Sequence, residues 1–138
     1  MSIKEARKRA SVETRVSENP HPYVVPALKV RNLRVRVAID FMNANFHRRI
    51  SLAELADVAH LSPSHLSHLF KTHTGVSPGE YLRRLRMEKA RHLLATSLLS
   101  IKEIMAMAGY NHKSHFVRHF RRSFGLAPSE YRKRFSNS

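Results

Sequence analysis

The sequence predicts an all-α fold of about seven helices, and three observations carry that prediction. Helix-start signals recur along the chain: Ser51 with Glu54, Ser62 before Pro63, Ser77-Pro78 with Glu80, and Ser100 with Glu103. A hydroxyl at such a position caps a backbone N–H, a Glu three residues on reaches back, and proline suits the first helical position. Gly75 and Gly125 stand where helices must stop in a left-handed conformation. No stretch alternates apolar and polar residues over a useful length, so no strand competes.

Taken in order, residues 1–29 hold Pro20, Pro22 and Pro26, mixed charge and little periodicity. They read as a flexible tail or interdomain linker, which leaves residues 30–138 as the folded domain. From Val30 a helical period places Val30, Leu33, Val37, Phe41 and Ala44 on one face, with Arg31, Arg34 and Arg36 off the stripe. This gives a first helix over about 31–46. The start and stop signals then set further helices at about 52–59, 63–73, 78–96, 101–107, 112–123 and 128–135.

The chain repeats itself. Ser64, His65, Phe70, Gly75, Pro78, Glu80 and Tyr81 recur as Ser114, His115, Phe120, Gly125, Pro128, Glu130 and Tyr131, at an offset of 50. Leu66 becomes Phe116. Glu54 and Leu55 recur as Glu103 and Ile104 at an offset of 49, so the second copy has one extra residue in its turn. Helix, short turn, helix is the helix-turn-helix unit, whose second helix enters the major groove of DNA. The copies cover about 51–74 and 100–124, joined by a long connecting helix at about 78–96. Leu66, Leu69 and Phe70 in one copy, and Phe116, Phe120 and Phe124 in the other, are the apolar anchors. Core packing is the plain reading of those aromatics. The opposite faces keep Ser64, Ser67, His68 and Lys71, and Lys113, Ser114, Arg118, Arg121 and Arg122.

Composition agrees. The formal net charge is +15, from 25 basic and 10 acidic residues, which calls for a polyanionic partner. Cysteine is absent, so neither a disulfide nor a Cys-ligated zinc holds the fold, and the core must come from the 42% hydrophobic residues. No apolar run approaches the ~18 residues that span a bilayer. The basic opening "MSIKEARKRA" is followed by no apolar segment of a secretory signal. A soluble cytoplasmic chain without membrane contact is expected. His115 with His119 and His65 with His68 have spacings that suit one metal, but no carboxylate or Cys completes a set, so no metal or other cofactor is expected. No catalytic constellation appears, and the chain is not read as an enzyme.

The second copy, Ser114-x-Phe116-x-Arg118-x-Phe120-Arg121-x-x-x-Gly125-x-x-Pro128-x-x-Tyr131-Arg132, strongly resembles the C-terminal signature of the AraC/XylS family of bacterial transcription regulators. Ala108-Gly109-Tyr110 fits before it. Ile50-Ser-Leu-Ala-Glu-Leu-Ala and the segment from Ser62 to Lys71 resemble the family's first helix-turn-helix, and Arg86-x-x-x-Ala90-x-x-Leu93-Leu94 its connecting helix. The resemblance covers about residues 31–135. Two departures stand out. Ala127 replaces the usual Ser or Thr before the last proline, and His112 sits where Asp or Asn is common, so that Asn111 is an alternative cap.

The resemblance implies a sequence-specific regulator of transcription, an activator by the family's commoner habit, with two recognition helices in successive major-groove segments about one helical turn apart. One chain then reads double-stranded DNA without dimerising, and contact with RNA polymerase is an accompanying role. Carried over residue by residue, the base-reading positions are Ser64, Ser67 and His68, and Lys113, Ser114, Val117 and Arg118. Arg118 leads because its fork matches guanine, though the same fork fits a phosphate. Lys71, Arg121, Arg122, Arg48 and Arg49, with the helix starts at Ser51 and Ser100, are the phosphate candidates. The run Arg83-Arg84-x-Arg86 reads as solvated or structural, paired with Glu80 or Glu88. A non-specific basic nucleic-acid binder is the rival reading. It explains the charge but not two copies with different reading residues.

Overall fold

A computed structural model describes residues 24–136. Among these, seven α-helices follow a short 3-10 turn, Ala27–Lys29: α1 (Leu33–Asn45), α2 (Leu52–Val58), α3 (Pro63–Thr74), α4 (Pro78–Thr96), α5 (Ile101–Met107), α6 (Lys113–Phe124) and α7 (Pro128–Phe135). No strand occurs among the described residues. The all-α expectation holds, with each predicted helix within two residues of its place. The described residues form two compact units, 24–86 and 87–136, and α4 contributes to both.

The first unit packs α1, α2, α3 and the start of α4 around Ile39, Met42, Leu55, Leu66, Phe70 and Tyr81. The ring of Phe70 meets Tyr81 edge to face at 5.2 Å, a preferred aromatic geometry. The face of α1 differs from the expected one. Val35, Ala38, Ile39 and Met42 are buried, whereas Leu33 is 70% exposed and Ala44 lies at the surface. Residues 24–29, read above as part of a tail, lie against this core: Val24, Val25 and Ala27 pack on it, and the Tyr81 hydroxyl donates to the Val25 carbonyl at 2.5 Å. The remainder of that segment, 1–23, lies outside the described residues.

The second unit is built on aromatics. Phe116, Phe120 and Phe124 from α6 are fully buried with Met87, Leu94 and Ile104. Phe120 lies 6.0 Å from Phe116, 4.7 Å from Phe124 and 5.5 Å from Tyr131, centroid to centroid. Tyr131 also receives a 3.3 Å bond from Arg91, which pairs with Glu88. Burial works against the charge on Arg91, yet its bonds to Glu88 and Tyr131 outweigh it and raise the pKa above the usual arginine range.

Caps explain where the helices begin. Ser51, Ser62 and Ser77 each accept the N–H three residues on, at 3.1–3.2 Å. Only Ser100 completes the reciprocal box, with Glu103 reaching back to the Ser100 N–H. The Glu54 carboxylate instead takes Arg48, and that of Glu80 takes Arg83 and Arg84. The Glu88 pairing expected for the Arg83–Arg86 run goes to Arg91, and Arg86 binds the carbonyls of Phe46 and Arg48. Helix α6 is capped by His112, not Asn111, and without a side-chain bond.

Ala127 caps α7 with an extended backbone (φ −68°, ψ 156°) and no side-chain bond. Its counterpart Ser77 bonds the Glu80 N–H at 3.2 Å. Ala127→Ser should therefore add about 1 kcal/mol and raise the melting temperature by a few degrees. An unchanged or lower value in a thermal melt would contradict the cap.

The two turns share one left-handed backbone position but fill it with different residues. Gly109 adopts φ 86°, and in the first copy the left-handed site falls on His60, at φ 58°. Both close the same bonds: Leu61 N–H to Ala56 and Tyr110 N–H to Met105. A side chain there costs about 1–2 kcal/mol, against the 0.5–1 kcal/mol that glycine's freedom costs. His60→Gly should accordingly stabilise the first unit by about 0.5–1 kcal/mol. Chemical denaturation checks it, and a loss of stability would show that the His60 side chain contributes more than its strain.

Candidate nucleic-acid interface

Helices α3 and α6 are the second helices of the two repeats. Their burial follows one pattern at the offset of 50. Leu66 and Phe116 are buried, as are Phe70 and Phe120; Ser67 and Val117 are half-buried; Ser64, His65, His68 and Lys71 are exposed like Ser114, His115, Arg118 and Arg121. An amphipathic helix buries one stripe and leaves the opposite one to solvent. The stripe left out carries Ser64, His68, Lys113, Ser114 and Arg118, and the half-buried Ser67 and Val117 complete the base-reading candidates. On α6, Lys113, Ser114, Val117, Arg118, Arg121 and Arg122 line one open depression of the surface.

The two faces are unequal in charge. Helix α6 carries Lys113, Arg118, Arg121 and Arg122, whereas α3 carries Lys71, and neither has an acidic residue. Arg121 lies 3.6 Å from Glu130, with both side chains more than half exposed. Such a pair contributes little and yields readily to a competing anion.

The remaining phosphate candidates are placed differently. Arg49 is exposed. Arg48 is engaged: its guanidinium binds both Glu54 oxygens, at 2.7 and 3.2 Å, and the Arg49 carbonyl at 2.9 Å. The Arg48 hydrogen bond holds the Glu54 carboxyl below the usual range, and Glu54 raises Arg48 in return. The Ser51 hydroxyl is the cap of α2. At Ser100 the N–H already donates to Glu103 at 3.2 Å, and the bonds from Ser100 lower the Glu103 pKa. That helix start therefore holds a carboxylate where a phosphate was expected. The histidines form no metal set: no group of three or more His, Cys, Asp or Glu among the described residues is placed to hold an ion. No helix among the described residues is long and apolar enough to cross a membrane.

Sequence reasoning passed over His65 and His115 as members of this face. They are exposed at matched register, next to Ser64 and Ser114. The offset of 50 was the signal that could have found them.

A family profile described as a helix-turn-helix domain matches residues 55–134. Among curated proteins, the lactose operon transcription activator of Staphylococcus xylosus is 36% identical over 105 residues, covering 76% of this chain and 38% of that protein. The transcriptional activator RhaS of Enterobacter sp. (strain 638) is 36% identical over 110 residues, covering 80% and 40%. Among solved structures, the C-terminal domain of the response regulator AraT from Geobacillus stearothermophilus superposes with a TM-score of 0.74 at 31% identity, covering 78% of this chain and 89% of that one. The chain belongs to the AraC/XylS family of transcription regulators. It spans about two-fifths of the length of the first curated relatives it matches. The DNA-binding domain of AdpA, solved in complex with a target DNA, is also similar, with a TM-score of 0.70, 26% identity, and coverage of 74% and 92%. The two units thus carry the double helix-turn-helix of an AraC-type DNA-binding domain.

Proposed function

We propose that this chain is a sequence-specific double-stranded DNA-binding regulator whose α3 and α6 each read a major-groove segment, acting as a transcription activator. The observation that carries the reading is the matched burial of α3 and α6: two helices anchored by the same apolar stripe, each leaving its opposite face to solvent. The relatives named as activators support the direction of the output. Ser64, Ser67 and His68, and Lys113, Ser114, Val117 and Arg118, face the bases; Lys71, Arg121, Arg122 and Arg49 face phosphates. Arg48 and Ser51 are secondary, because their polar groups already serve Glu54, and Ser100 is displaced by Glu103. The binding domain, residues 30–138 with residues 24–29 packed on its core, is able to act as a monomer in the cytoplasm, with RNA polymerase as a second partner. Nothing in this arrangement requires catalysis.

Arg118 is the sharpest test. Its guanidinium can bond guanine O6 and N7 together, worth about 1–3 kcal/mol of discrimination. Arg118→Ala should weaken a preferred duplex about 10- to 100-fold in a binding titration, while leaving affinity for scrambled duplexes nearly unchanged. Equal weakening on both would make Arg118 a phosphate contact.

A further inference from the structure

Six of the ten histidines sit on or cap the two recognition helices: His65, His68 and His73 on α3, and His112, His115 and His119 at α6. Four of these, His65, His68, His112 and His115, are exposed at or beside the face that carries the base-reading candidates. At matched register His68 stands where the second copy has Arg118. The imidazoles at α6 form a ladder, with His112 5.4 Å from His115 and His115 stacked on His119 at 6.5 Å. His119 meets the Tyr110 hydroxyl at 2.8 Å. We propose, building on the DNA-binding reading, that His65, His68, His112 and His115 contact DNA and take up protons on binding, so that affinity is proton-coupled.

The chemistry follows from the surroundings. Imidazole is the side chain that changes charge between about pH 5 and 8. The charged groups around the ladder are cationic on its own helix: Lys113, Arg118 and Arg122. The neighbouring helices bring Lys102 and Glu103, the latter held in the cap of α5, and Glu130, which pairs with Arg121. Arg34 and His60 line the same depression as His65, the Arg34 guanidinium bonding the His60 carbonyl, and Lys71 lies one turn from His68. The helices packed against α3 carry Asp40 on α1, and Asp57 and Glu54 on α2, Glu54 being paired with Arg48. Among the described residues, none of these four imidazoles forms an ion pair with a carboxylate. DNA phosphates supply that missing anion, and an opposite charge at about 4–6 Å favours imidazolium. The sign is then fixed. A group whose pKa rises on binding strengthens the complex at low pH, and the gain is lost as pH climbs through the bound value.

The experiment is a titration of the full chain against a labelled mixed-sequence duplex at constant salt, between about pH 8 and pH 6. Calorimetry in buffers of unlike ionisation enthalpy counts the protons. Affinity should rise about 10- to 100-fold as pH falls, with about one to two protons taken up per complex. The variant carrying His65→Gln, His68→Gln, His112→Gln and His115→Gln, all surface changes, should fold as the parent by circular dichroism and lose that dependence. Binding that is flat with pH overturns the proton coupling and leaves the DNA-binding reading intact. A slope that survives in the variant moves the protons to other groups and overturns the assignment. No binding at any pH overturns both.

Discussion

Replacing Phe120 by alanine is expected to remove most of the stability of the second unit. The ring is fully buried and touches Phe116, Phe124 and Tyr131, so the substitution removes the centre of an aromatic cluster. A buried Phe→Ala costs about 3–5 kcal/mol, including the cavity left behind. Whole domains are stable by only about 5–15 kcal/mol, so a small unit loses most of its margin. The core there has little to fall back on: cysteine is absent from the chain, and α6 is tied to the unit by three phenylalanines. Urea denaturation followed by circular dichroism should show the loss, and DNA binding should fall with it because α6 no longer presents its face. A loss below about 1 kcal/mol would mean that the cluster repacks around the gap.

The second large effect is on salt. If the chain neutralises 6–10 phosphates, affinity should drop about 10³–10⁵-fold between 50 and 200 mM salt. The charge difference between the helices predicts where that sensitivity resides. Four cations on α6 against one on α3 place most of it in the second unit. Arg121→Ala with Arg122→Ala should lower the slope of log affinity against log salt by about 2. A Lys71→Ala change should lower it by about 1. Equal slopes in all three proteins would show that neither face meets the phosphates.

The repeat made most of the architecture legible. Caps and stop glycines are local signals, so Ser51, Ser62, Ser100, Gly75 and Gly125 each mark a boundary that the structure keeps. The face of α1 was not legible for a physical reason. Leu33, Val35, Val37, Ala38, Ile39, Phe41 and Met42 surround much of its circumference, so two apolar stripes compete. The helices packed against it decide between them, and no local pattern records that choice. The docking of Val24 to Ala27 is likewise a long-range effect. It joins apolar packing on the core to a bond from the Tyr81 hydroxyl, 56 residues beyond Val25. At the interface, the offset of 50 placed Arg118 and His68 in one register. The partner that occupies Arg48 could not be read, because a Glu three residues after a cap has two uses. Glu103 closes its own box, whereas Glu54 turns to an arginine in the preceding loop.

Selection of bound duplexes from a random pool, at about 150 mM salt with competitor DNA, tests the central claim most directly. Two unlike half-motifs about one helical turn apart are expected, one for each recognition helix. In that case Arg118→Ala should blur the half assigned to α6 and leave the other sharp. A pool with no enriched sequence would contradict the account and reduce the chain to a non-specific basic binder.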